Sequence, residues 1–125
     1  MKKDYFKGTV VKVWKERFAI IKSRKVYPGA FANIIDKDET TVIIDQSKYD
    51  EEDVISVEKD YCLLTFDVNL PFNVVGFLSK VSTALANEGV SIMAVSSYST
   101  DHILVKKSNL DKSKKALSNL GFIIK

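Results

Sequence analysis

The sequence predicts an α+β fold, and three observations carry that prediction. Along the C-terminal half, apolar residues switch between a two-residue and a 3.6-residue period, in the order strand, helix, strand, strand, helix, strand. The N-terminal half holds strand-like runs broken by turn residues, with at most one short helical stretch. The composition is that of a packed domain, with 46% hydrophobic and 28% charged residues in a chain of 125.

The first C-terminal element is Asp60-Tyr-Cys-Leu-Leu-Thr-Phe-Asp-Val68, rich in β-branched and aromatic residues and bounded by Asn69-Leu-Pro71. Val74, Phe77, Leu78, Val81, Ala84 and Leu85 then recur at helical spacing, which predicts a helix over 74–88. Asn73 stands where an N-cap is expected, and Gly89 where a left-handed residue ends a helix. Val90–Tyr98 alternates as a strand, Ser99-Thr-Asp101 supplies turn chemistry, and His102–Lys106 returns as the second arm of a hairpin. Ser108-Asn-Leu-Asp111 has the form of a capping box before a second helix lined by Leu110, Leu117 and Leu120 and ended by Gly121. Phe122–Ile124 is the last strand. This β-α-β-β-α-β order is that of a ferredoxin-like unit, whose two helices cover one sheet face.

Upstream, Thr9–Val13 and Phe18–Lys22 read as strands separated by a turn at Trp14–Arg17. Lys25–Gly29 breaks the chain, and Phe31–Ile35 is too short to classify by pattern. Asp36–Glu39 reads as a hairpin loop before the strand Thr40–Asp45, and Asp53–Val57 suits a further strand.

Bulk features exclude several classes. The apolar runs are far shorter than the roughly 20 residues that span a bilayer. No apolar stretch follows the Met-Lys-Lys-Asp start in the manner of a secretory leader, so a cytoplasmic protein is expected. A lone Cys62 within an apolar strand suits a buried hydrophobe. Nineteen basic and sixteen acidic residues leave a net charge of +3, too mild and too scattered to argue for nucleic acid.

Catalytic chemistry is thin. His102 is the one histidine, and at a strand start it suits a structural role better than that of a base. The five glycines lie too far apart for G-x-G-x-x-G or a P-loop. No Cys/His cluster has zinc spacing, and Asp36 and Asp38 lack the later residues of a calcium loop. The expectation is a non-enzyme with no catalytic residues, no metal and no cofactor.

What remains is the junction Leu70-Pro-Phe-Asn-Val-Val-Gly-Phe-Leu78. A helix N-terminus offers unpaired N–H groups and the positive end of the helix dipole to a carboxylate. Gly76 there has two readings: room for a ligand or backbone to approach, or relief of helix–sheet packing.

Leu70–Leu85, followed by Gly89-Val-Ser-Ile-Met-Ala-Val-Ser-Ser-Tyr-Ser-Thr-Asp-His-Ile-Leu-Val105, resembles the ACT domain. The Ser-x-Tyr-x-Thr-Asp-x-x-Leu-Val portion is similar to the branch of small bacterial tandem-ACT proteins and eukaryotic cytosolic arginine sensors. Phe31–Ile35, Asp38-Glu39 and Thr41–Ile44 resemble that branch more loosely. The resemblance implies a strand-rich, degenerate ACT-like half at residues 1–58 and an ACT domain at 59–125. It implies ligand binding by Phe72, Asn73, Val74, Val75 and Gly76, with backbone amides toward a carboxylate. Ile92 and Met93 would neighbour the ligand, and Asp101 would meet an ammonium or guanidinium group, or else simply cap the hairpin. Asn73 and Val75 depart from the Asp/Gly-type residues that many such loops carry.

The expected function is therefore regulatory binding of a free amino acid or similar small carboxylate, in a homodimer formed through sheet or helix pairing. The alternative is a structural or partner-binding assembly module without ligand. A nucleic-acid platform is a third reading, with Phe66 as its candidate stacking aromatic.

Overall fold

The computed structural model describes residues 4–125. Among these residues eight strands and two α-helices run in the order β1 (Val10–Val13), β2 (Phe18–Ser23), β3 (Ala32–Ile35), β4 (Thr40–Asp45), β5 (Val54–Asp67), α1 (Phe77–Asn87), β6 (Met93–Ser96), β7 (Asp101–Lys106), α2 (Leu110–Asn119) and β8 (Ile123–Ile124). The α+β expectation holds. Contacts divide the chain into two compact units. One is Lys15–Tyr61; the other joins the described residues through Trp14 to Cys62–Lys125.

The second of these carries the helices. Its strands are ordered β6-β7-β5-β1-β8, counting the Cys62–Asp67 part of β5. β1 runs antiparallel to β5, with Val11 opposite Phe66, and β8 runs parallel to β1. The β-α-β-β-α-β order is present, but the closing strand does not lie against β5. β1 has been inserted between them. All four residues of β1 pair with β5, and two of them, Val10 and Val11, also pair with the two-residue β8.

The core lies on the helix-covered face. Cys62, Leu64 and Phe66 alternate on β5, Ile103 and Val105 on β7, and Val11 joins from β1. Phe77, Val81 and Leu85 of α1, four residues apart, and Leu110, Ala116 and Leu117 of α2 pack onto them. Phe66 is fully buried, its ring 5.3 Å from that of Phe77 and 5.2 Å from that of Phe122. A stacking platform for bases therefore cannot use it. Leu63 and Leu104, which alternate with these residues, are also fully buried, so the run Cys62–Leu64 reads as continuously apolar.

Several boundaries differ from the sequence pattern. The first helix begins at Phe77, not at 74, and Asn73 is not its cap. Gly76 is, with φ +86°, and a left-handed residue cannot sit inside a right-handed helix. Val74 N–H instead donates to Pro71 O at 3.1 Å, closing a turn. Gly89 ends α1 as expected, at φ +74°. The second helix opens through a 3₁₀ turn at Lys107–Asn109, without the capping box read at Ser108. β6 is shorter than Val90–Tyr98, because Val90 and Ile92 turn into the helix-covered core before strand pairing begins.

In the other unit, β3, β4, β2 and the Val54–Tyr61 part of β5 pair antiparallel in that order. Thr40–Asp45 is the strand expected, and Asp36 N–H bonded to Glu39 O at 2.8 Å closes the expected hairpin loop. Ala19, Ile21, Val42 and Ile44 form its small core, and its one helical turn is the 3₁₀ stretch Glu51–Asp53. The separate strands read at Asp53–Val57 and Asp60–Val68 are one strand with an irregularity. Phe18 faces Tyr61 but Ile20 faces Glu58, so β5 carries one extra residue, and Asp60 takes φ +63° there. Gln46 clamps the bulge: its amide donates to Asp60 Oδ1 at 3.0 Å and accepts from Asp60 N–H at 2.8 Å.

Candidate functional site

Three segments of the helical unit converge at the start of α1: the loop 68–76, the β6–β7 hairpin tip, and residues 4–8. A turn of the kind formed by Ser97 and Thr100 fixes the hairpin tip. Ser97 N–H and Oγ both donate to Thr100 O, at 2.9 and 3.1 Å. The tip is tied to the loop by Leu70 N–H donating to Ser99 O at 2.7 Å. Phe72 and Tyr98 add a second tie, with ring centroids 4.6 Å apart. These rings are 77% and 79% exposed, an arrangement a core-building role does not explain.

Between loop and tip lies a cleft of about 330 Å³. Phe72, Val74, Gly76 and Asp101 line it, joined by the first helical turn at Phe77–Ser79 and the hydroxyl-bearing tip at Ser96–Thr100. Gly76, the N-cap of α1, makes no side-chain cap hydrogen bond, and the first helical turn that it opens lines this cleft. Across from that turn Ser96 Oγ donates to Asp101 Oδ1 at 2.6 Å, which fixes that carboxylate at the hairpin base. One end of the cleft thus attracts negative charge, and the other carries it.

The remaining residues singled out in the sequence lie elsewhere. Asn73 and Val75 line a different cleft, of about 460 Å³, with Tyr5, Phe6 and Lys80. Val74, Gly76 and Phe77 are common to both. Ile92 packs into the core, and Met93 pairs with Leu104 in the sheet; neither lines either cleft. Pattern reading passed over Ser79 and the residues of the N-terminal segment. Tyr5 and Phe6, just before the strand-like run Thr9–Val13, carry no periodic signal that marks them.

His102 sits beside this site but serves the fold. It is nine-tenths buried, and its Nδ1 lies 2.8 Å from Thr65 Oγ1, which accepts at 2.8 Å from the Trp14 indole N–H. A neutral imidazole completes that chain by accepting the Thr65 hydroxyl proton. Burial lowers the His102 pKa below its ordinary value, and the Asp101 carboxylate only partly opposes this. Below pH 6.5 the unfolded chain takes up a proton that the folded chain refuses, so stability falls as pH drops from 6.5 toward the lowered folded value. Urea unfolding at pH 7.5 and 5.5 should show this loss. His102→Asn, which keeps an acceptor without titrating, should remove that part of the pH slope; an unchanged slope would assign it to other groups.

Among the described residues no three His, Cys, Asp or Glu side chains gather as a metal site. No helix among them is long and apolar enough to cross a membrane.

A profile of the ACT domain matches residues 56–119, just over half of the chain. The chain belongs to the ACT domain family. ACT domains are regulatory domains, and the chain carries that regulatory type of fold. Solved structures show the same architecture over nearly the whole length. A protein from Agrobacterium tumefaciens superposes with a TM-score of 0.81 at 21% identity, covering 94% of this chain and 92% of its own. One from Vibrio cholerae, described as a protein of unknown function and possible transport protein, gives 0.74 at 18% identity, covering 91% of each. The ligand-free regulatory subunit of aspartate kinase from Thermus thermophilus gives 0.63 at 10% identity, covering 92% and 98%. At these identities the likeness is one of fold. No curated protein sequence matches the chain closely enough to count as a relative. The ACT profile begins within β5 and ends with α2, so it omits β1, the strand inserted beside β5.

Proposed function

We propose that this chain is a non-catalytic regulatory protein that reversibly binds a free amino acid, or a similar small carboxylate, in the cleft between the 70–76 loop and the hairpin tip. One observation carries the reading: the first turn of α1, without a side-chain cap from Gly76, lines the same cleft as the anchored Asp101 carboxylate. An α-amino acid carries complementary charges. Its carboxylate would accept from the N–H groups at Phe77–Ser79, where the helix dipole also favours it. Its ammonium, or a cationic side chain, would meet Asp101. The Phe72–Tyr98 pair stands at this cleft and would cover the ligand's side chain.

The reading includes a cytoplasmic homodimer. β6 pairs with β7 and no other described strand, which leaves a sheet edge toward a second copy. No cofactor enters the proposal.

A thermal-denaturation screen across the amino acids tests it. A ligand at a hundred times its Kd should stabilise the fold by about 2.7 kcal/mol, a shift of several degrees. A flat panel at millimolar concentration would reject the ligand and leave an assembly module. Asp101→Asn should weaken the stabilising ligand about tenfold or more, since it removes one partner of a charge-assisted contact. The melting temperature without ligand should barely move. Unaltered affinity would remove Asp101 from the site.

A further inference from the structure

We propose that the second cleft, bounded by the Asn73–Gly76 loop and the N-terminal segment, is a separate binding site for a small apolar or aromatic carboxylate. Its volume of about 460 Å³ falls in the range of ligand pockets. One wall is aromatic and already rigid. Phe6 stacks on the buried Phe77 with centroids 5.1 Å apart and planes at 22°, and its ring lies 5.5 Å from that of buried Phe122.

The segment bearing Phe6 is closed on itself by Asp4 and tied to Gly121 by Gly8. Asp4 Oδ1 accepts from the N–H groups of Phe6 and Lys7 at 2.8 and 3.2 Å, which holds its carboxyl below the usual range. Gly8 N–H donates to Gly121 O at 2.9 Å. The wall is therefore preformed, and a ligand need not order it.

Val75 also lines the cleft and is 95% exposed, on a loop that gains nothing in folding from an apolar side chain there. A ligand laid between Phe6 and Val75 would cover both. Charge then sets its chemistry. Lys80 is the cation lining the cleft, its Nζ 4.9 Å above the Phe6 ring, while the neighbouring Asp4 carboxylate is already committed to backbone N–H groups. An apolar body against Phe6 with a carboxylate reaching Lys80 satisfies both features. Serines and Asp101, which give the first cleft its polar character, do not line this one.

The probe is 3-phenylpropionate, titrated into the ¹⁵N-labelled chain and followed at backbone amides. Saturable shifts are expected at Phe6, Val75 and Lys80, with 3-phenylpropanamide binding about tenfold more weakly because it lacks the charge. Lys80→Met, which keeps the aliphatic stem and the helix propensity, should erase the preference for acid over amide. Val75→Glu, at an exposed position, should weaken the acid by repulsion. The absence of saturable shifts at these amides would overturn the site. Shifts confined to residues 96–101, or equal affinity for acid and amide, would also overturn it. The amino-acid cleft is followed at the hairpin amides, so either proposal can fail without the other.

Discussion

Phe66→Ala is expected to cost about 3–5 kcal/mol of folding stability. Its ring is fully buried at the centre of the helix-covered core, where the rings of Phe77 and Phe122 close on it at 5.3 and 5.2 Å. Truncation loses the transfer free energy of the ring and leaves a cavity. The walls that would have to fill it, β5, α1 and the start of β8, are held by their own pairings. Phe72→Ala removes the same ring from a position 77% exposed, and there the change should stay within about 0.5 kcal/mol. Urea unfolding of the two variants measures the contrast directly. A Phe66→Ala loss near 1 kcal/mol would mean that the core collapses around the gap, and that Phe66 is not its keystone.

That contrast also shows what a pattern of residues can and cannot reveal. The alternation Cys62, Leu64, Phe66 and the spacing Phe77, Val81, Leu85 state which side of each element is buried, so the class and order of the C-terminal elements were legible. Strand neighbours were not. Nothing local to Val10–Val13 says that it pairs with β5 and displaces β8, because pairing of elements more than fifty residues apart is decided by the whole sheet. The start of α1 was misread for a related reason. Val74 fits the helical period, but the left-handed backbone at Gly76 overrides it, and periodicity carries no information on the sign of φ. In the candidate site the loop was singled out from helix-terminus chemistry, whereas local chemistry gave Asp101 only as a turn residue and the resemblance to the ACT domain gave it a ligand. The site's division into two clefts depends on Phe6 and Lys80, which the fold brings together across seventy residues.

Gly76→Ala is expected to destabilise the chain by about 1–2 kcal/mol, and to weaken amino-acid binding about tenfold or more. The φ of +86° places Gly76 in the region that L side chains avoid, while a Cβ built there meets nothing within 4 Å. The penalty is therefore conformational and owes nothing to crowding, so relief of helix–sheet packing does not explain this glycine. Gly121 differs: a Cβ there would come within 3.0 Å of the Lys7 backbone. At Gly76 the chain must either hold alanine in a strained conformation or let the loop relax. Relaxation would carry Phe72 and Val74 away from the first turn of α1, and so dismantle the cleft. Thermal melts read the first effect, and calorimetry with the stabilising amino acid reads the second. Gly76→Asn separates the two uses of the position, because asparagine tolerates the left-handed region far better than alanine. If Gly76→Asn restores stability and binding together, the backbone turn alone is what the site requires. If it restores stability but not binding, the open space beside Gly76 is occupied by the ligand. Full binding by Gly76→Ala would show that neither the turn nor the space matters, and would move the ligand away from this loop.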